Sequence, residues 1–224
     1  MARTTSARWN PEKRDVLDAL ADDFLHHYSK GRTLLAVDGI DGAGTQAFAD
    51  ALAERMSRGA HAVFRASIAD FHKPRAQRYA LGEDSGQGYY VDSFDYALFR
   101  RVLIEPFKLG GSAGFVTAAF DVQRDAQIEM DWNSGPQDAT LIVAGAFLNR
   151  PELRGLWNFS VWLDADAELA KERMFERHGE AGMSARYPDG QAIYLRETNP
   201  RTRATAIMDN TDPVHPRRVF ADSC

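Results

Sequence analysis

Apolar residues follow two rhythms along this chain. Short unbroken runs at 33–37 (Thr-Leu-Leu-Ala-Val), 139–144 and 159–163 have the length of strands buried on both faces. Val16, Leu17, Leu20, Phe24 and Leu25 recur at helical spacing instead, as do Ala47, Leu52, Ala53 and Met56. The first of these helices is expected to start at Asn10-Pro11, with Asn as the cap, and to end at Gly31. Further strands are expected at 61–67, 115–120 and 204–208. Further helices are expected at 97–107, from Asp164 or Asp166 to His178, and at 191–197, ahead of Pro200. Residues 79–90 form a polar, glycine-bearing, aromatic-rich stretch, and 110–114 read as a glycine loop. Alternating strands and helices predict an α/β fold: a parallel sheet flanked by helices. Residues 178–190 carry Gly and Arg without periodicity and are expected to form a small lid. With no repeat and no low-complexity tract, residues 1–224 read as one domain.

The first buried run leads into Asp38-Gly-Ile-Asp-Gly-Ala-Gly44 and then into a helix. Strand, glycine turn, helix is the layout of a phosphate-binding loop, whose backbone N–H groups wrap an anion at a helix N-terminus. In the G-x-x-x-x-G-K-[ST] pattern, Lys reaches the outer phosphates and the hydroxyl holds Mg²⁺. Gly39 and Gly44 stand in register, with Asp41, Gly42 and Ala43 between them. Thr45 occupies the Lys position and Gln46 the hydroxyl position. The frame of the motif is present without its two chemical side chains. That makes the sequence a degenerate P-loop.

Composition narrows the partners. The 224 residues are 44% hydrophobic, enough for a sizeable core, and the net charge of −5 argues against a broad nucleic-acid surface. Arg greatly outnumbers Lys, which leaves forked donors for phosphate or carboxylate. The single cysteine, Cys224, can form no intrachain disulfide, as expected of a cytoplasmic protein. No apolar run approaches a membrane span, and Met1 to Arg8 lack a signal-peptide core. His26 and His27 read as cations at a helix C-terminus, not as metal ligands.

The sequence also resembles the uridine kinase family, in its bacterial, actinobacterial-type branch, over nearly the whole chain. The likeness rests on the 37–44 loop, on Arg-Ala-Ser-Ile-x-Asp-Phe-His-x-Pro-Arg (65–75) and on Tyr-x-Asp-Ser-Phe-Asp-Tyr (90–96). It continues through Thr-Ala-Ala-Phe-Asp-Val (117–122), Phe-Leu-x-Arg-Pro-Glu-Leu-Arg-Gly (147–155), Tyr-Leu-Arg-Glu (194–197) and Asp-Asn-Thr-Asp (209–212). The resemblance implies a P-loop kinase fold and a nucleoside-shaped pocket. Asp92 would meet the ribose hydroxyls and His72 and Phe120 the base, while Arg75, Tyr90, Asp95, Tyr96 and Asp121 shape the pocket. Arg186 would reach in from the lid. Each has a plainer reading beside it: Phe120 as core, Asp95 as a helix cap, Asp121 as a loop acid, His72 as a structural imidazole.

The same resemblance places four phosphotransfer residues at positions where this chain has Thr45, Gln46, Ala69 (for the base Asp) and Ala144 (for the acid that organises Mg²⁺). Substitutes are at hand in Asp70 beside Ala69, in Asp38 and Asp41 for the metal, and in Lys73, Arg173, Arg177 and Arg186 for the cation. Asp70, His72 and Asp92 are therefore the catalytic candidates, and no metal ligand is assigned. The leading expectation is a protein that binds a nucleoside, nucleotide or ribosyl compound without ATP/Mg²⁺ phosphotransfer, as a pseudokinase or a repurposed enzyme. An active nucleoside kinase using ATP and Mg²⁺ is the first alternative, and a regulatory partner of an active relative is the second. Neither a nucleic acid nor a membrane is expected as a partner, and a homo-oligomer is left open.

Overall fold

The computed structural model describes residues 11–220. In order, these are α1 (Lys13–Tyr28), β1 (Arg32–Gly39), α2 (Thr45–Ser57), β2 (Ala62–Ser67), α3 (Arg75–Arg78), α4 (Gly86–Asp92), α5 (Tyr96–Phe99) and α6 (Glu105–Leu109). A π-helical turn, Arg100–Ile104, joins α5 to α6. Four two-residue strands follow: β3 (Phe115–Val116), β4 (Phe120–Asp121), β5 (Ala126–Gln127) and β6 (Trp132–Asn133). The chain then runs through β7 (Ala139–Gly145), β8 (Phe159–Asp164), α7 (Ala167–His178), α8 (Arg186–Thr198), α9 (Pro200–Arg203), β9 (Ala206–Asp209) and β10 (Arg217–Val219).

Six strands form one sheet in the order β10-β9-β8-β1-β7-β2. All neighbours are parallel except β10, which lies antiparallel on β9. The sheet is covered on both faces, and the alternation of each strand decides which residue serves which face. Leu35 and Val37 of β1 pack with Leu17, Leu20 and Phe24 of α1 and with Phe48, Leu52 and Met56 of α2. Leu34 and Ala36 face the other way, onto Phe99, Leu103, Phe107 and Tyr194. This double burial explains why the strands read as unbroken apolar runs.

The sequence expectations change in five places. Residues 115–120 are no continuous strand, because Thr117 to Ala119 bend between β3 and β4. The aromatic-rich stretch at 79–90, to which no element was assigned, contains the start of α4, whose Ser85 cap accepts from the Gly88 N–H at 3.0 Å. The expected lid at 178–190 is wound: a 3₁₀ turn spans Gly179–Met183 and α8 begins at Arg186, five residues before the expected helix at 191. The last parallel strand starts at Ala206, two residues late, and β10 was not expected at all. Helix α1 ends at Tyr28, short of Gly31. The Asn10 cap, residues 1–8 and Cys224 lie outside the described residues.

Candidate functional site

The C-terminal ends of the parallel strands meet at one edge, where β1 delivers the glycine loop. Gly42 and Gly44 take φ of +82° and +87°, the left-handed region that a side chain resists. The loop carbonyls are turned away and tied down. Asn210 Nδ2 donates to the Ala43 carbonyl at 2.7 Å, and Arg173 donates to the Gly42 carbonyl at 3.3 Å and the Thr211 carbonyl at 2.7 Å. Helix α2 starts at Thr45, so its first N–H groups have no intrahelical partner and face the loop's concavity. Arg173, a candidate replacement cation, is thus spent on backbone carbonyls.

The two loop aspartates have separate duties. Asp38 is fully buried. It accepts from the Gly39 N–H at 3.0 Å, the Asn149 N–H at 3.1 Å, Asn149 Nδ2 at 2.7 Å and the Tyr194 hydroxyl. Burial pushes its carboxyl up to about 6, and the hydrogen bonds from Tyr194 and Asn149 pull the other way. With its oxygens saturated, Asp38 braces the strand end and offers nothing to a metal. Asp41 accepts from the Tyr89 hydroxyl at 2.8 Å and from Gln191 Nε2, linking the loop to α4 and α8. Burial raises its pKa as well.

Above the loop lies a cleft of about 430 Å³. Ile40, Asp41, Gly42, Gly44, Thr45 and Gln46 form its floor, and Ala69, His72, Arg75, Arg78, Tyr79 and Tyr89 form one wall. Arg177, His178, Arg186 and Tyr187 come from α7 and α8. Gly39 and Ala43 belong to the loop without lining the cleft. Of the remaining sequence candidates, Asp70, Tyr90, Asp92, Asp95, Tyr96, Phe120 and Asp121 are not among the lining residues. Asp92 pairs with Lys73 at 3.1 Å, which occupies both groups. Asp95 caps α5 through the Leu98 N–H at 2.8 Å, and Asp121 accepts from the Gln123 and Arg124 N–H groups at 2.9 and 3.0 Å. Tyr90 lies under the Arg150 guanidinium, which also donates to the Tyr96 hydroxyl at 3.2 Å. Phe120 is buried in the short β4 strand. Asp70 neighbours Ala69, but Ala69 is the one that faces the cleft.

His72 does line the cleft. Its Nδ1 sits 2.5 Å from the Ala69 carbonyl, so this nitrogen carries the proton and Nε2 is left as an acceptor. Burial holds the imidazole down to about 4, with Arg78 and Arg186 adding to the effect. It is a neutral polar surface over the whole physiological range.

The far end of the loop decides what the site could hold. Gln46 Nε2 donates to Ser67 Oγ at 2.7 Å and to the Ala144 carbonyl at 3.2 Å, while Arg65 donates to Gln46 Oε1 at 3.3 Å. A guanidinium can only donate and a carbonyl can only accept, which fixes the amide's orientation. Arg65 is itself held by the Ile142 carbonyl at 2.8 Å and by Asp50 at 2.8 Å. Mg²⁺ wants several oxygen ligands in a near-octahedral shell. At this corner the Ser67 hydroxyl and the Ala144 carbonyl are taken by the Gln46 amide nitrogen and a guanidinium stands beside it, and among the described residues no cluster of three or more His, Cys, Asp or Glu is placed to hold a metal. These residues do not fit the ion.

Sequence reasoning missed Arg78, Tyr79, Tyr89 and Tyr187 as cleft walls. Arg75 and Arg78 stand three residues apart, a spacing that puts both on one face of a helical turn. That signal was readable, whereas the approach of Tyr89 and Tyr187 depends on how α4 meets α8.

No family profile matches the chain, and no curated protein sequence matches it. Solved structures do match. A possible uridine kinase from Bacillus stearothermophilus superposes with a TM-score of 0.71 at 23% identity, over 87% of this chain and 97% of that one. A candidate fructose transport system kinase from Silicibacter sp. TM1040 gives 0.64 at 22% identity, over 79% and 93%. A D-glycerate 3-kinase from Cryptococcus neoformans var. grubii gives 0.56 at 9% identity, over 92% and 97%. At these identities the likeness is one of fold alone: a mostly parallel sheet flanked by helices, as in these kinase structures.

Proposed function

We propose that this chain binds a nucleoside, nucleotide or ribosyl compound in the cleft above its glycine loop and does not transfer a phosphoryl group from Mg·ATP. The observation that carries the reading is the Gln46 network: an amide bound to Ser67, Ala144 and Arg65 stands where a P-loop kinase places its metal. The loop frame, the buried Asp38 brace and the aromatic cleft wall favour retained binding. Thr45, Ala69 and Ala144 supply no cation, no base and no carboxylate.

Magnitudes support this. Losing a general base costs roughly 10²–10⁴ in rate. Losing a cation at the transferring phosphoryl costs about 10³ or more, by analogy with arginine fingers. These losses do not add within one catalytic unit, but either alone takes a kinase far below its usual ~1–100 s⁻¹.

A rearranged, active kinase is the competing reading. One observation favours it: Arg177 lines the cleft and makes no hydrogen bond or ion pair to the described residues, so its charge is available. The two readings separate in an assay of the pure protein with ATP, Mg²⁺ and uridine. The proposal expects no uridine 5′-monophosphate above the protein-free control. Turnover within the ordinary kinase range supports the rearranged site and overturns the proposal.

A further inference from the structure

The charge of the cleft opposes the charge of the chain. The protein carries −5 overall, yet Arg75, Arg78, Arg177 and Arg186 all line the cleft, against Asp41 as the single lining carboxylate among the described residues. Asp41 is already shared between Tyr89 and Gln191. Arg78 is paired with Asp125 at 3.0 Å, so Arg75, Arg177 and Arg186 supply the uncompensated charge, and with the one lining carboxylate already engaged they make a site for an anion.

The arginines are built in. Arg186 is only 5% exposed. Its guanidinium lies over the rings of Tyr79 at 4.5 Å and Tyr89 at 5.3 Å. One nitrogen donates to the Glu83 carbonyl at 2.9 Å, while its Nε is buried without a hydrogen-bond partner. A buried, unpaired donor is costly and calls for an acceptor. Arg78 stacks on the same Tyr79 ring at 5.4 Å and is fixed by the Lys73 carbonyl at 2.8 Å and Asp125 at 3.0 Å. Asp125 also accepts from the Arg75 N–H at 2.8 Å, so the turn after β4 pins α3 at the cleft rim. Arg75 itself is exposed, and its side chain makes no hydrogen bond or ion pair to the described residues.

We propose that the ligand of this cleft carries a phosphomonoester, and that the α3–α8 wall, through Arg75, Arg78 and Arg186, holds that phosphate without a metal ion. The inference rests on the riboside reading above and adds the substrate class: a phosphorylated riboside in place of a neutral nucleoside. Guanidinium forks suit a phosphate's oxygens in pairs, and several of them neutralise a dianion as a divalent cation would.

The test is calorimetric titration of the full chain, in EDTA, with uridine, uridine 5′-monophosphate, ribose 5-phosphate and inorganic phosphate. The two phosphorylated ribosides are expected to bind at least about tenfold more tightly than uridine, the value of one charge-assisted contact. Arg75→Gln changes an exposed side chain and leaves the core untouched. It is expected to weaken the phosphorylated ligands about tenfold more than it weakens uridine. Uridine binding as tightly as its monophosphate overturns the phosphate inference and leaves the riboside reading standing. Phosphate binding without any gain from the riboside overturns the riboside reading and keeps the anion site. Binding that requires added Mg²⁺ overturns the metal-free site, and silence from all four probes overturns both.

Discussion

Single residues at the glycine loop hold its shape through buried hydrogen bonds. Asp38 is the clearest case. Its carboxyl is raised to about 6 by burial, against an ordinary 3.8, so the folded state holds the proton more tightly than the unfolded chain. The stability this group contributes is present below about pH 4 and is lost as pH rises through about 6. Unfolding by urea at pH 4.5 and pH 7.5, for the protein and for Asp38→Asn, checks this. The difference in stability between the two proteins should favour the parent more at pH 4.5 than at 7.5, by about 1–3 kcal/mol. An unchanged difference contradicts it. Much at this scale was legible from the sequence: Gly39, Gly44 and the exchanged residues Thr45 and Gln46 were visible by register alone. The Gln46 network was not, because its partners Ser67, Arg65 and Ala144 come from β2 and β7. Local sequence holds no record of that meeting. The acidic candidates Asp92, Asp95 and Asp121 looked like ligand contacts by motif, but nearby groups engage them: Lys73 for the first, backbone N–H groups for the other two.

At the scale of elements, one side of the cleft is set by two helices, α4 and α8, that touch through glycine. Gly190 of α8 and Gly86 of α4 face each other, and a Cβ on Gly190 would lie 2.7 Å from the Tyr89 ring and 2.9 Å from the Gly86 carbonyl oxygen. Alanine is ordinarily the better helix former by up to about 1 kcal/mol. Here the clash wins, since both obstacles are fixed within packed helices. Gly190→Ala is expected to destabilise the protein by about 1–3 kcal/mol in urea unfolding, and to weaken ligand binding by shifting Arg186 and Gln191 on the same helix. Gly59→Ala, where no heavy atom lies within 4 Å of the added carbon, is the control and should be near neutral. A stabilising Gly190→Ala contradicts the packing account. The same contact explains why α4 and the start of α8 escaped the sequence reading. Gly86, Gly88 and Gly190 suggest a loop by propensity, and only close helix approach makes them useful. The central strands β1, β7 and β8 were readable because nearly every residue in them is buried, on both faces. β10 was not, being a three-residue edge strand with no such run.

The whole molecule sets an acidic chain around a cationic cleft. Its fold brings the strand ends, the glycine loop and α7–α8 to one edge, where P-loop kinases of known structure are similar in architecture. At that edge this chain sets guanidiniums on the cleft walls and Thr45 and Gln46 at the start of α2. Under the reading proposed above, the cleft suits a small anion better than a metal-bound triphosphate. The most direct measurement is calorimetric titration of a nonhydrolysable ATP analogue into the protein, with and without Mg²⁺. The account predicts no Mg²⁺-dependent gain in affinity. A tight complex that forms only when Mg²⁺ is present would contradict it.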